Sequence, residues 1–163
     1  MRSRHLILTL LTVVVAGAVW LTWTLPSAPP TTFATISGAK PSLADWRGHP
    51  VLITFWATDC PACLKEIPAL KDLHGRYASR GVQVVAVAMA YDLPSRVVSF
   101  AREWALPYAV ALDPSGETAR AFDVSVTPTT FLLDAESRIR QRAVGDFDPA
   151  EMKALIETLL NDT

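Results

Sequence analysis

Residues 51–57, VLITFWA, carry no charge and run almost directly into Cys60-Pro61-Ala62-Cys63. A continuous β-branched and aromatic run of this length is the mark of a strand covered on both faces. Residues 82–88, VQVVAVA, repeat the pattern. Strands of this kind need helices on both sides of their sheet, which restricts the chain to an α/β architecture. Between the two strands, residues 60–79 predict a helix. Leu64, Ile67, Leu70 and Leu73 form its apolar stripe, Gly81 ends it, and Pro68 is expected to kink it.

The flanking segments fit the same class. Residues 33–36 predict a weak strand, and residues 42–48 a helical turn closed by Gly48. Residues 94–105 predict a helix with Val97, Val98, Ala101 and Trp104 on one face. A strand at 108–112 and a short helix at 115–122 follow. Two further strands, 129–133 and 138–144, flank a turn at 134–137. Asp148 and Pro149 open a last helix that runs to about residue 160. Tyr91-Asp92-Leu93-Pro94 reads as a loop at the end of the sheet. Arg138, Arg140 and Arg142 alternate on one strand face, a solvated surface that an acidic partner could use. No internal repeat is present.

The N-terminus reads as an address. Residues 6–25, LILTLLTVVVAGAVWLTWTL, are uncharged. As a helix they span roughly 30 Å, the thickness of a bilayer core. Arg2 and Arg4 precede them, so residues 1–5 are expected in the cytoplasm and everything after residue 25 outside it. The competing reading is a signal peptide cut after Ala16-Gly17-Ala18, against which the apolar run continues for seven more residues. Residues 26–32, PSAPPTT, are expected to form an extended spacer reaching roughly 20 Å, with one domain at 33–163.

A chain of 163 residues holds one ordinary domain, and 50% hydrophobic residues exclude intrinsic disorder. Apart from Arg2 and Arg4, 13 basic residues face 16 acidic ones. That balance argues against nucleic-acid binding.

Cys60 and Cys63 are the only cysteines, so no multi-bridge scaffold exists. At i and i+3 on a helix they are close enough to bridge. The helix N-terminus favours a thiolate at Cys60, the attacking species in disulfide exchange; Cys63, one turn deeper, would resolve the mixed disulfide. An inert structural bridge would close a four-residue ring that constrains little chain entropy. A zinc site would need two more ligands, and only His49 and His74 lie near. Glu66 lies three residues beyond Cys63, where a carboxylate could take the proton that Cys63 must lose. Partial burial would raise its pKa towards the working range.

The segment FWATDCPACLKEIPAL, with Thr127-Pro128-Thr129-Thr130-Phe131-Leu132, resembles the thioredoxin-fold proteins, most closely the membrane-tethered TlpA/ResA/CcmG (DsbE) group of envelope thiol–disulfide oxidoreductases. The resemblance implies a thioredoxin-like fold, a central mixed sheet flanked by helices on both faces, preceded by one transmembrane helix. It implies a cis Pro128 beside the disulfide, and a Thr127 backbone that pairs with an extended substrate. Pro61 and Trp56 join that substrate-binding set, although Trp56 fits ordinary core equally well. It supports Glu66 as the proton acceptor and a glycine near the site at Gly145. Thr54 stands where thioredoxin itself keeps a buried aspartate, which makes Glu66 more necessary. Asp59 departs from the group, which usually carries tryptophan there. It is expected to cap the helix and to raise the Cys60 thiol pKa by its charge.

What the resemblance implies is an inner-membrane, single-pass reductase facing the periplasm or cell exterior. Its clients would be exported proteins, with apocytochrome c in cytochrome c maturation among the candidates. A DsbD/CcdA-type membrane donor would supply electrons, with no metal or organic cofactor. Three other readings stay open: a dithiol oxidase, a copper-delivery module, and a thiol peroxidase. The copper module would need a further histidine, and none follows His74. The peroxidase usually has a threonine three residues before its cysteine, where this chain has Ala57.

Overall fold

The computed structural model describes residues 25–162. The apolar run at 6–25 lies outside them except for its last residue. Among the described residues no helix is long and apolar enough to cross a membrane.

Six strands form one mixed sheet in the order β1-β4-β3-β2-β5-β6. They are β1 (Ala34–Thr35), β2 (Val51–Trp56), β3 (Gln83–Ala88), β4 (Ala109–Leu112), β5 (Thr129–Leu133) and β6 (Ile139–Val144). β2, β3 and β4 are parallel, while β5 and β6 continue antiparallel on one side and β1 on the other. The helices are α1 (Pro61–Tyr77), α2 (Pro94–Glu103), α3 (Glu117–Ala121) and α4 (Pro149–Asn161).

Every residue of β2 and β5 is buried, as two-sided cover requires. Leu52 and Trp56 face one core layer with Val84, Ala86 and Ala88, under Leu70, Leu73, Val97, Met152 and Ile156 of α1, α2 and α4. Val51, Ile53 and Phe55 face the other, with Phe33, Ala119, Phe122 and Phe131. Among the described residues helices lie on both faces as expected, but three to one: α3, the 3-10 turn Leu43–Trp46 and the chain around Phe33 and Val124 lie over the second face.

Local signals place the boundaries. Ser42 and Asp45 form a reciprocal capping box on the 3-10 turn, and Asp148 accepts from Ala150 N–H at the start of α4. Gly81 adopts φ +94° where the chain turns into β3, as a left-handed stop requires. α1 continues through Pro68, which is exposed.

Two expectations need correction. Trp104 is not on the buried face of α2; it follows the helix and is 38% exposed, stacked on Phe100 at 4.9 Å. Trp104 keeps a helical hydrogen bond, its N–H donating to Phe100 O at 2.9 Å, but its ring packs outward on Phe100 instead of into the core. Residues 26–32 are extended but do not hang free. Ile139 N–H donates to Pro26 O and Ala28 N–H to Ser137 O, both at 2.8 Å, and Leu43 N–H donates to Thr31 O. Proline keeps its carbonyl acceptor while losing its donor, so this segment can still pair along an edge.

Candidate active site

β2 delivers the chain to the C-terminal end of the sheet, where Ala57 is buried and residues 58–59 turn outward. Cys60 itself is the N-cap of α1: its backbone is extended, and its Sγ accepts from Cys63 N–H at 3.1 Å. Asp59 is therefore not the cap, and its side chain is exposed. Pro61 opens the helix, where a missing N–H costs nothing. Cys60 and Cys63 form a disulfide with Cα atoms 5.2 Å apart. Cys60 is partly exposed and Cys63 only 3% exposed, so the outer sulfur is the one a partner can reach.

The β2–β5 register pairs Phe55 with Thr129, so the residue before Thr129 arrives level with the end of β2. The Thr127–Pro128 bond is cis, as the resemblance implies, and Pro128 is buried. Pro128 O accepts from Gly145 N–H at 2.9 Å. Gly145 has φ +83°, the one reason this position favours glycine, since a Cβ would meet nothing within 4 Å. Thr127 is half-buried, with its Oγ1 3.3 Å from Tyr91 Oη.

Glu66 lies one turn below Cys63 and is 5% exposed. Its Oε1 accepts from Phe147 N–H at 2.9 Å, while Oε2 has no protein partner. Burial pushes this carboxyl up to about 7, helped by the nearby Asp146 charge and opposed by the Phe147 N–H. A carboxyl poised there can accept and return a proton near neutral pH. Trp56 is 4% exposed, with its ring 5.3 Å from Phe100. Cys60, Cys63, Glu66, Trp56 and the Thr127–Pro128 bond therefore converge at one end of the sheet. Among the described residues no three His, Cys, Asp or Glu side chains gather as metal ligands.

Asp92 was not singled out by the sequence pattern. Its carboxylate accepts from Thr58 N–H at 2.6 Å and from Thr58 Oγ1 at 2.9 Å, and it is 7% exposed. It ties the turn before Cys60 to the loop after β3. Parallel β2 and β3 put both following loops at the same end of the sheet, the one signal that could have pointed to it.

The Redoxin family profile matches residues 26–160, and the disulfide sits inside that match. The chain belongs to the Redoxin family. ResA, a thiol-disulfide oxidoreductase of Bacillus thuringiensis subsp. konkukian, is 29% identical over 132 residues, covering 81% of this chain and 76% of ResA. The thioredoxin-like protein YneN of Bacillus subtilis is 36% identical over 132 residues, 80% of this chain and 76% of YneN. Among solved structures, a putative thiol:disulfide interchange protein DsbE from Chlorobium tepidum superposes with a TM-score of 0.71 at 32% identity, covering 83% of this chain and 94% of the other. A putative thioredoxin from Neisseria meningitidis gives 0.78 at 29%, covering 83% and 91%. This Redoxin-family chain is a thiol–disulfide oxidoreductase of the ResA/DsbE type, and Cys60 and Cys63 are its redox-active pair.

Proposed function

We propose that this oxidoreductase runs as a reductase of disulfides in exported proteins, apocytochrome c before haem attachment among its candidate clients. It works at the outer side of the inner membrane, held there by residues 6–25, and a DsbD/CcdA-type membrane protein returns it to the dithiol state. The reduced protein offers Cys60 as thiolate. That sulfur attacks a client disulfide, forming a Cys60–client bond and releasing one client thiolate. Cys63 then gives its proton to the Glu66 carboxylate and attacks Cys60 Sγ. The mixed disulfide breaks, the second client thiolate leaves, and Cys60–Cys63 closes. Two electrons pass from this protein to the client, which takes up two protons from solvent and Glu66. Pro61, Thr127 and the backbone at Pro128 form the surface on which the client's extended chain lies during this exchange, while Trp56, buried against Phe100, supports that surface from beneath.

The observation that carries the mechanism is Glu66: a buried carboxyl one turn from Cys63, held at about 7 by its surroundings. The exposed charge of Asp59 beside Cys60 supports the reducing direction, because it disfavours the thiolate and so favours the closed disulfide. The deciding experiment equilibrates the protein in graded glutathione buffers and counts free thiols by alkylation and gel shift. A potential at or below roughly −250 mV fits a donor-fed reductase. A potential near roughly −120 mV makes the protein an oxidant and ends the reductase reading.

A further inference from the structure

In the loop after β3 the usual order of burial is reversed. Tyr91 is 62% exposed and Leu93 58% exposed, while Asp92 between them is buried. Asp92 spends its carboxylate on Thr58 N–H and Thr58 Oγ1, two residues before Cys60. These charge-assisted bonds fasten the loop beside the disulfide and hold the two large side chains outward. Tyr91 Oη lies 3.3 Å from Thr127 Oγ1, so the phenol reaches the residue before the cis Pro128. Val126, next in the chain, is 51% exposed. The disulfide thus has an apolar flank supplied by the loops after β3 and before β5.

The charges around that flank have one sign. The loops at the sulfur end of the sheet are residues 57–60, 89–93, 113–116, 123–128 and 145–148. Every charged residue in them is an aspartate. Asp92 and Asp113 are buried and hold their loops, Asp113 by accepting from Thr118 and Ala119 N–H. Asp123 is paired with Arg142 at 3.9 Å. Asp59, Asp146 and Asp148 are exposed. What lies on the flank meets an apolar surface in a negative field.

We propose that Tyr91, with Leu93 and Val126, selects the client. The flank takes a large apolar side chain beside the client's cysteine or one position further along, in a segment of neutral or positive charge. This deepens the client-reduction reading above and rests on it. An extended client paired along Thr127 turns alternate side chains to one face, which brings such a residue to the phenol. A tyrosine offers a wide apolar face with a hydroxyl already satisfied by Thr127. The surrounding aspartates disfavour acidic segments and attract basic ones. Tyr91 is a specificity-determining residue: it touches the client and takes no part in the exchange of sulfurs.

The test gives the reduced full chain, in non-ionic detergent, short peptides closed by one disulfide. They differ only beside one cysteine, in leucine against alanine and in lysine against glutamate. Second-order rates of reduction are each divided by the rate with dithiothreitol, which removes the peptide's own reactivity. The quantity read is the leucine-to-alanine ratio within one protein, so a general loss of reactivity in a variant cancels. Partial burial of a leucine on the flank should give wild type a ratio of about ten. Tyr91→Ala should bring it to about two, and Tyr91→Phe, which keeps the ring, should leave it near about ten. Lysine should outpace glutamate by about threefold, and added salt should close that gap. A wild-type ratio near one, a ratio unmoved by Tyr91→Ala, or glutamate as fast as lysine overturns the proposal. If Tyr91→Ala does not fold, Leu93→Ala reads the same flank and must lower the ratio. Failure of the reductase reading would show differently: the reduced chain would leave every peptide closed. The same ratio is then read on the open dithiol peptides with the oxidised chain, and it decides the flank alone.

Discussion

Replacing Glu66 with glutamine removes a buried charge while keeping the side chain's length and its acceptor for Phe147 N–H. In the folded protein this carboxyl titrates at about 7, against an ordinary value of 4.5. That difference is worth about 3 kcal/mol, because each pH unit corresponds to 1.36 kcal/mol. Below pH 4.5 the group is neutral in the folded and unfolded chain alike, and it exacts no penalty. From 4.5 to 7 the unfolded chain ionises while the folded one holds its proton, so wild-type stability falls as pH rises. Above 7 the penalty is complete. Glutamine never ionises. The variant should therefore match wild type near pH 4 and exceed it by up to about 3 kcal/mol at pH 8. For a domain of this size that is roughly a 10 °C rise in Tm. Urea unfolding of both oxidised proteins, from pH 4 to 9, measures the difference, and titrations common to both cancel. Parallel curves across that range would refute the assignment of a raised Glu66. The same substitution should slow resolution of the mixed disulfide if Glu66 takes the Cys63 proton as proposed, which would explain why the site retains a destabilising group.

Cys63→Ser should accumulate client-linked adducts on non-reducing gels and Cys60→Ser should form none; the reverse pattern would exchange their roles. Asp92→Ala strips Thr58 of both its hydrogen bonds and should cost about 3 kcal/mol in urea unfolding, since bonds to a charged acceptor are worth about 1.5–3 kcal/mol each. Asp59→Asn should make the reduced Cys60 alkylate faster at neutral pH, because a negative charge that disfavours its thiolate is removed. The gain should shrink with added salt, because Asp59 is exposed. Gly145→Ala should cost about 1 kcal/mol from its φ of +83° alone, as no atom lies within 4 Å to clash.

The parts of this fold that read from sequence are those where one residue's pattern settles its own surroundings. VLITFWA announced a strand with two covered faces, and every residue of β2 is buried. Cys60-Pro-Ala-Cys63 at a strand end points to the reactive pair, and helical spacing, with the family resemblance, sets Glu66 near Cys63, where the carboxyl is buried. What stayed hidden depends on partners distant in the chain. Asp92 reaches Thr58 across 34 positions, and Phe147 N–H reaches Glu66 across 81. Asp59 misled because capping by aspartate is common, whereas here the cysteine sulfur takes that place. Trp104 holds the register that spacing predicts, and what spacing does not show is that its ring stacks on Phe100 and stays exposed.

The docking of residues 26–28 against Ser137 and Ile139 bears on how the domain is presented. Ile139 pairs with Leu133, and Leu133 with Val51, so this attachment lies at the N-terminal end of β2. The disulfide lies beyond the other end, six residues or roughly 20 Å away. If residues 6–25 anchor the chain, as proposed above, a domain held through residues 26–28 would turn its sulfurs away from the membrane: a client could meet them without approaching the lipid, whereas a donor in the bilayer would have to reach past the whole sheet.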